Sequence, residues 1–255
     1  MKLYRTTYGQ GPDLLILHGL LGSGGNWATL ARKAYGPQFR TIVPDLRNHG
    51  RSPHDPVFSY EAMVADLLEL MEDEGIEKAH VLGHSMGGKL AMHLALEHPE
   101  RVGKLIIADI GPQAYRESHG PIFDIFEAVD PSKYDSRKDI DEAMSAVVPE
   151  FGLRQFLLKN LERNGDSYRW GMNLPAIRNG YSELVREVES WEPFDGDVRF
   201  VRGGKSRYLK EEDIGSIRAL FPLADMVTME ESGHWLHADN PELFAELTLS
   251  FLSHD

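Results

Sequence analysis

Short, dense apolar runs alternate along this chain with segments in which apolar residues recur every third or fourth position. Residues 14–17 (LLIL) and 41–43 are compact runs that end at His18-Gly19 and Pro44-Asp45, and both predict buried strands. From 60 to 74 the residues Met63, Leu67, Leu70 and Met71 keep helical spacing, and Gly75 supplies a stop. A strand over 79–82, a helix over 88–97 halted before Pro99, and a strand over 104–108 follow. Strand and helix therefore alternate, which predicts an α/β fold with a doubly wound, mostly parallel sheet.

The rhythm breaks near Gly111-Pro112. From Gln113 to about Val185 only helical periodicity is visible, carried by Ile122, Phe123, Phe126 and Val129, then Leu153, Phe156, Leu157 and Leu161, then Tyr181, Leu184, Val185 and Val188. Strands return over 198–201 and 225–229, and an amphipathic helix over 241–252 ends the pattern. The expected organisation is a core of residues 1–112 and 186–255 interrupted by an all-helical cap over 113–185.

Composition narrows the function. The 255 residues carry 27 Lys and Arg against 40 Asp and Glu, a formal charge of −13, which repels phosphate backbones and anionic membranes. Nucleic acid is therefore not an expected partner. The absence of cysteine removes disulfides, thiolate metal sites and a thiol nucleophile together. Residues 1–8 lack the apolar segment of a signal peptide, and no run approaches the roughly 18 apolar residues of a membrane span, so a cytoplasmic protein is expected.

The chemistry concentrates at Gly83-His84-Ser85-Met86-Gly87, a G-x-S-x-G placed between a strand and a helix. Alone the pentapeptide is common in ordinary turns. Between those two elements it predicts a nucleophile held on a tight turn, with glycines letting neighbouring segments approach and a helix N-terminus aimed at the reacting centre. A serine hydroxyl needs a base. Of the eleven histidines, His234 in Gly233-His234-Trp235 lies late in the chain after a strand, where the base belongs in the order Ser, acid, His. The plainer account, a loop filler or helix cap, ignores that order.

The other histidines fit lesser roles. His18 and His84 flank glycines at strand ends and are expected on the pocket floor, His237 beside the base, and His80 in strand packing. His49, His54, His93, His98, His119 and His254 have surface or helix explanations. The loop His18-Gly19-Leu20-Leu21-Gly22 follows a strand, so the amides of Leu20 and Met86 are the expected oxyanion donors. The charged segment 45–52 (DLRNHGRS) is expected to serve turns and caps.

Together, HGLLGS at 18–23, DLRNHGRS at 45–52, GHSMGGK at 83–89 and GHWLHADNP at 233–241 resemble the α/β-hydrolase superfamily, specifically the YbfF-type bacterial esterases and their mitochondrial relatives. That resemblance spans the chain. It implies a small esterase acting on short to medium acyl esters and, in some members, acyl-CoA thioesters. In one place the chain departs from the wider pattern. Many superfamily members carry an acid just after the strand at 198–201, where this sequence reads Arg202-Gly203-Gly204-Lys205-Ser206. Ser206 occupies that site, and the resemblance implies Asp109, at the end of the strand 104–108, as the acid. The plainer role for Asp109 is a turn cap.

The expected activity is hydrolysis of an ester or thioester with Ser85 as nucleophile, His234 as base, Asp109 assisted by Ser206 as its partner, and no metal or cofactor. Two other readings stay open: a carbon-carbon bond hydrolase or lyase on the same scaffold, and a small-molecule receptor with a vestigial triad. Dehalogenases and epoxide hydrolases of similar fold need a carboxylate where Ser85 stands.

Overall fold

In the computed structural model, which describes residues 1–253, the apolar runs become the centre of a seven-stranded sheet; His254 lies outside the described residues. In chain order the strands are β1 Arg5–Tyr8, β2 Asp13–Leu17, β3 Arg40–Pro44, β4 Ala79–His84, β5 Val102–Ala108, β8 Val198–Gly203 and β9 Ala224–Met229. Their spatial order is β1-β3-β2-β4-β5-β8-β9, with every pairing parallel except β1 with β3. The central strands are nearly continuous in apolar residues because both faces are covered. Leu15, Leu17, Val81, Leu105, Ile107 and Phe200 pack on one face, with the helices Tyr60–Asp73 and Met86–Glu97. Leu14, Ile16, Leu82, Ile106, Val201 and Met229 pack on the other, against Trp27, Tyr35 and the helix Pro241–Leu252.

Local signals account for the helix ends. Ser59 accepts a hydrogen bond from the Ala62 amide, and Gly75 takes φ 68° just past the helix Tyr60–Asp73, where a side chain would be strained. Asn240 caps the last helix through the Leu243 amide, with Pro241 at the first helical position.

Two features differ from the sequence reading. Strand β1 was not anticipated, since its four residues, Arg-Thr-Thr-Tyr, show no apolar run; it sits at the sheet edge, antiparallel to β3. The insertion is also not all-helical. Between the helices Gly120–Ala128, Arg137–Ser145 and Phe151–Leu157 and the helix Leu174–Leu184 stands a hairpin of β6 Leu161–Asn164 and β7 Ser167–Trp170. Leu161, in helical register with Leu157, begins a strand because the turn Gly165-Asp166, with Gly165 at φ 63°, folds the chain back. Among the described residues no helix is long and apolar enough to cross a membrane.

Candidate active site

Five loops at the carboxyl ends of β2, β4, β5, β8 and β9 converge, where parallel sheets gather their sites. Ser85 stands between β4 and the helix Met86–Glu97 with φ 54° and ψ −118°, a conformation that ordinarily costs on the order of 1–3 kcal/mol in a non-glycine residue. Its surroundings hold it there. The Ser85 amide donates to the Ala108 carbonyl, and the Ser85 carbonyl accepts from the amides of Gly88 and Lys89. Glycines make the turn possible: a Cβ on Gly83 would lie 2.1 Å from the Gly87 carbonyl oxygen, and one on Gly87 2.4 Å from that of Leu17.

The serine hydroxyl lies 3.1 Å from Nε2 of His234, and Nδ1 of the same ring lies 2.7 Å from Oδ2 of Asp109. Asp109 is fully buried and also has positive φ, 52°. Its Oδ1 accepts the Gly203 amide, and its Oδ2 accepts a second, short hydrogen bond from the Ser206 hydroxyl. Three donors thus surround a carboxylate shielded from bulk solvent, which is what a buried charge requires. The structure brings Ser85, His234, Asp109 and Ser206 into one connected chain. Glu211, Glu212 and Asp213, the other acids of that loop, form a 3-10 turn in which Asp213 accepts from Lys210 and Gln113.

Leu20 and Met86 line the space beside Ser85, and no hydrogen bond of either amide is found among the described residues. The loop carrying Leu20 presses on the serine turn: a Cβ on Gly19 would come within 3.3 Å of the Ser85 Cβ. Three elements brace that loop. The Leu46 amide donates to Nε2 of His18, the Leu21 amide donates to Nε2 of His49, and Asn160 of the insertion donates to the Leu21 carbonyl. The segment 45–52 is structural, as its composition suggested, with Asp45 accepting from the Gly24 and Arg51 amides and Arg47 paired with buried Asp66. His49, however, is not a surface residue. It is fully buried, because it supports the loop from below.

The site is rich in neutral imidazole. Burial pushes His18 down to about 4 and His237 down to about 3, and holds His84, which also faces His234 and His237, well below the ordinary histidine range. Nε2 of His84 donates to the His234 carbonyl at 2.8 Å, while His237 stacks on Trp27. Tyr208 lies flat against the His234 ring, 4.0 Å between centroids, a contact that only the approach of two distant loops creates. His119 is likewise no surface residue: it is half-buried, its Nδ1 2.6 Å from the Tyr181 hydroxyl.

Two cavities meet at Ser85 and share Leu20 and His119. The larger, about 500 Å³, is walled by Ile122, Leu153, Phe156 and Leu157 of the insertion and by Trp235. The smaller, about 340 Å³, runs past Met86 toward Tyr115, Tyr181 and Tyr208. Among the aromatic residues of the insertion, Phe156 and Tyr181 line these cavities, whereas Phe123 and Phe126 are core and Trp170 donates to the Phe126 and Val129 carbonyls. Among the described residues no group of three or more His, Asp or Glu side chains is arranged to hold a metal ion.

Comparison with known proteins agrees with this architecture. A family model described as alpha/beta hydrolase fold matches residues 12–241. The sn-1-specific diacylglycerol lipase ABHD11 of Mus musculus is 39% identical over 249 residues, covering 95% of this chain and 81% of that protein. Esterase YbfF of Escherichia coli K12 is 36% identical over 232 residues, covering 90% and 88%. A marine microorganism esterase of known structure superposes with a TM-score of 0.95 at 39% identity, covering 98% of this chain and 99% of that one. The chain belongs to the α/β-hydrolase family, in its branch of esterases and lipases of the YbfF type.

Proposed function

We propose that this protein is a serine hydrolase that cleaves carboxylic esters, or acyl thioesters, of short to medium chain through an acyl-enzyme on Ser85. The observation that carries the reading is the connected chain from the Ser85 hydroxyl through His234 to Asp109 at 3.1 and 2.7 Å. His234 Nε2 takes the serine proton as Oγ attacks the carbonyl carbon, and the electron pair of the carbonyl bond moves to its oxygen. The free amides of Leu20 and Met86 receive that charge. Collapse of the intermediate expels the alcohol or thiol, which takes the proton from His234. Water then repeats the sequence on the acyl-enzyme and releases the acid. Asp109 keeps Nδ1 protonated, so that Nε2 is the basic nitrogen, and Ser206 fixes the carboxylate. Residues 113–185 act as the cap that roofs both cavities.

A panel of p-nitrophenyl esters and acyl-CoA thioesters of graded length tests this reading, together with a fluorophosphonate. Multiple turnover with the probe's mass on the Ser85 peptide is expected, and Ser85→Ala should lose roughly a millionfold in kcat, by analogy with serine proteases. A single turnover at most would favour a receptor, and labelling at another residue would remove Ser85 from its role.

A further inference from the structure

The smaller cavity beside Ser85 has a charge pattern opposite to that of the whole molecule. Its lining contains Lys89, Arg116 and Arg207 and, among the described residues, no carboxylate, although the chain carries 40 acidic residues against 27 basic ones. Arg5, Arg40, Arg47, Arg154, Arg178 and Arg199 each sit on an Asp or Glu, whereas no carboxylate lines this cavity to pair its basic groups. Arg116, in the loop after β5, and Arg207, in the loop after β8, are exposed and have no hydrogen-bond or ion-pair partner among the described residues. Lys89, buried, donates its ammonium to the carbonyls of Gln113 and Arg186 and forms no ion pair among the described residues. The rest of the lining combines apolar Leu20, Met86, Ile110, Leu184 and Val185 with Ser118, His119 and four tyrosines.

A limb that enters at Ser85 therefore meets, on the walls of one cavity, apolar side chains and two guanidinium groups that no carboxylate pairs. We infer that this cavity takes the limb of an ester substrate that consists of several methylenes ending in an anionic oxygen group, a carboxylate or a phosphate, held by Arg116 and Arg207. The inference rests on the serine-hydrolase reading and specifies its substrate. Guanidinium suits the task because its planar fork matches either group with two parallel hydrogen bonds. The other limb occupies the larger cavity, where Ile122, Leu153, Phe156 and Leu157 of the insertion stand beside Glu150, Gln155 and Lys159.

The experiment compares charged and neutral esters of matched length. On the acyl side, monoethyl glutarate, adipate and suberate are set against the ethyl esters of the corresponding monocarboxylic acids. On the leaving-group side, 4-(butyryloxy)butyl phosphate is set against 4-hydroxybutyl butyrate. The quantity read is the ratio of kcat/KM, charged over neutral. In at least one arm it should exceed roughly tenfold, fall by roughly tenfold in the Arg116→Gln/Arg207→Gln double variant, and shrink in about 0.5 M salt, since exposed charges are screened. The arm that responds identifies the side on which the anion lies. A ratio at or below one in both arms, or one that the double variant leaves unchanged, overturns the inference. Hydrolysis of the neutral ethyl esters that survives Ser85→Ala would instead overturn the reading beneath it, and is measured separately.

Discussion

Asp109 and His234 are 125 residues apart in sequence, yet Oδ2 of the first lies 2.7 Å from Nδ1 of the second. Asp109 follows strand β5, where the wider superfamily pattern would place the acid after β8, and the loop after β8 contributes the Ser206 hydroxyl to the same carboxylate oxygen. On the proposed mechanism, Asp109→Asn should lower kcat by on the order of 10³ to 10⁴, because the ring loses the acceptor that fixes its tautomer. Ser206→Ala removes a hydrogen bond to a charged group, about 1.5 kcal/mol at the low end, and should cost roughly tenfold. The Glu211→Gln/Glu212→Gln/Asp213→Asn variant should stay near the parent, since none of these side chains bonds His234. If the triple variant fails while Asp109→Asn stays active, the acid lies in the later loop.

The serine turn makes a second expectation quantitative. A Cβ at Gly83 would sit 2.1 Å from the Gly87 carbonyl oxygen, whereas one at Gly120 meets nothing within 4 Å. Gly83→Ala must therefore move backbone, and a loss of about 1–3 kcal/mol or more is expected, a fall in Tm of several degrees. Gly120→Ala should stay within about 0.5 kcal/mol. Thermal melts of both, with fluorophosphonate labelling as a second readout, check the pair. Equal melting temperatures would contradict the packing.

How much of this was legible in the sequence follows from where each residue's environment comes from. Strands β2, β4 and β5 were visible because burial on both faces demands continuous apolar residues, and Ser85 and His234 stood out as chemistry placed beyond strand ends, whereas Asp109 was pointed to by the family resemblance. Strand β1 and the β6–β7 hairpin were not, since edge strands need no apolar run and Leu161 continues the helical spacing of Leu153 and Leu157. The Asn164-Gly165-Asp166 turn was the available signal for the hairpin. The contacts of Tyr208, His119 and His49 arise only when distant loops meet, so no local pattern encodes them.

The wall of the larger cavity predicts selectivity. Phe156 and Trp235 face each other with ring centroids 5.4 Å apart. If the cavity holds an acyl or alcohol chain, each buried methylene contributes about 0.8 kcal/mol of binding, so specificity should climb with chain length until the cavity is full. Phe156→Ala should flatten that climb, lowering kcat/KM roughly tenfold for the longest accepted p-nitrophenyl ester while changing the shortest by less than about threefold. Uniform loss at every length would assign Phe156 to folding.

Acid stability follows from the buried imidazoles. His18 donates its Nδ1 proton to the Gly19 carbonyl and accepts the Leu46 amide on Nε2; His49 donates to the Arg47 carbonyl and accepts the Leu21 amide. Neither ring can gain a proton without breaking the bond at Nε2. Burial accordingly lowers His18 to about 4, and burial with the neighbouring His18 lowers His49 to about 3, while burial lowers His237 to about 3. In the unfolded chain each titrates near 6.5, so between that pH and the folded value the unfolded state binds more protons. Stability is therefore complete above about pH 6.5 and is lost as the pH falls, by about 2 kcal/mol for each such ring at pH 5. Together the three rings remove about 6 kcal/mol at pH 5, a large share of a total stability of about 5–15 kcal/mol. Denaturant midpoints measured from pH 8 to 5 should fall steeply in the parent. His49→Asn, an amide that accepts and donates without titrating, should show a curve shallower by about one proton over the same range, even where its stability at pH 8 is lower. A variant curve parallel to the parent's would mean that His49 does not carry this share of the pH dependence.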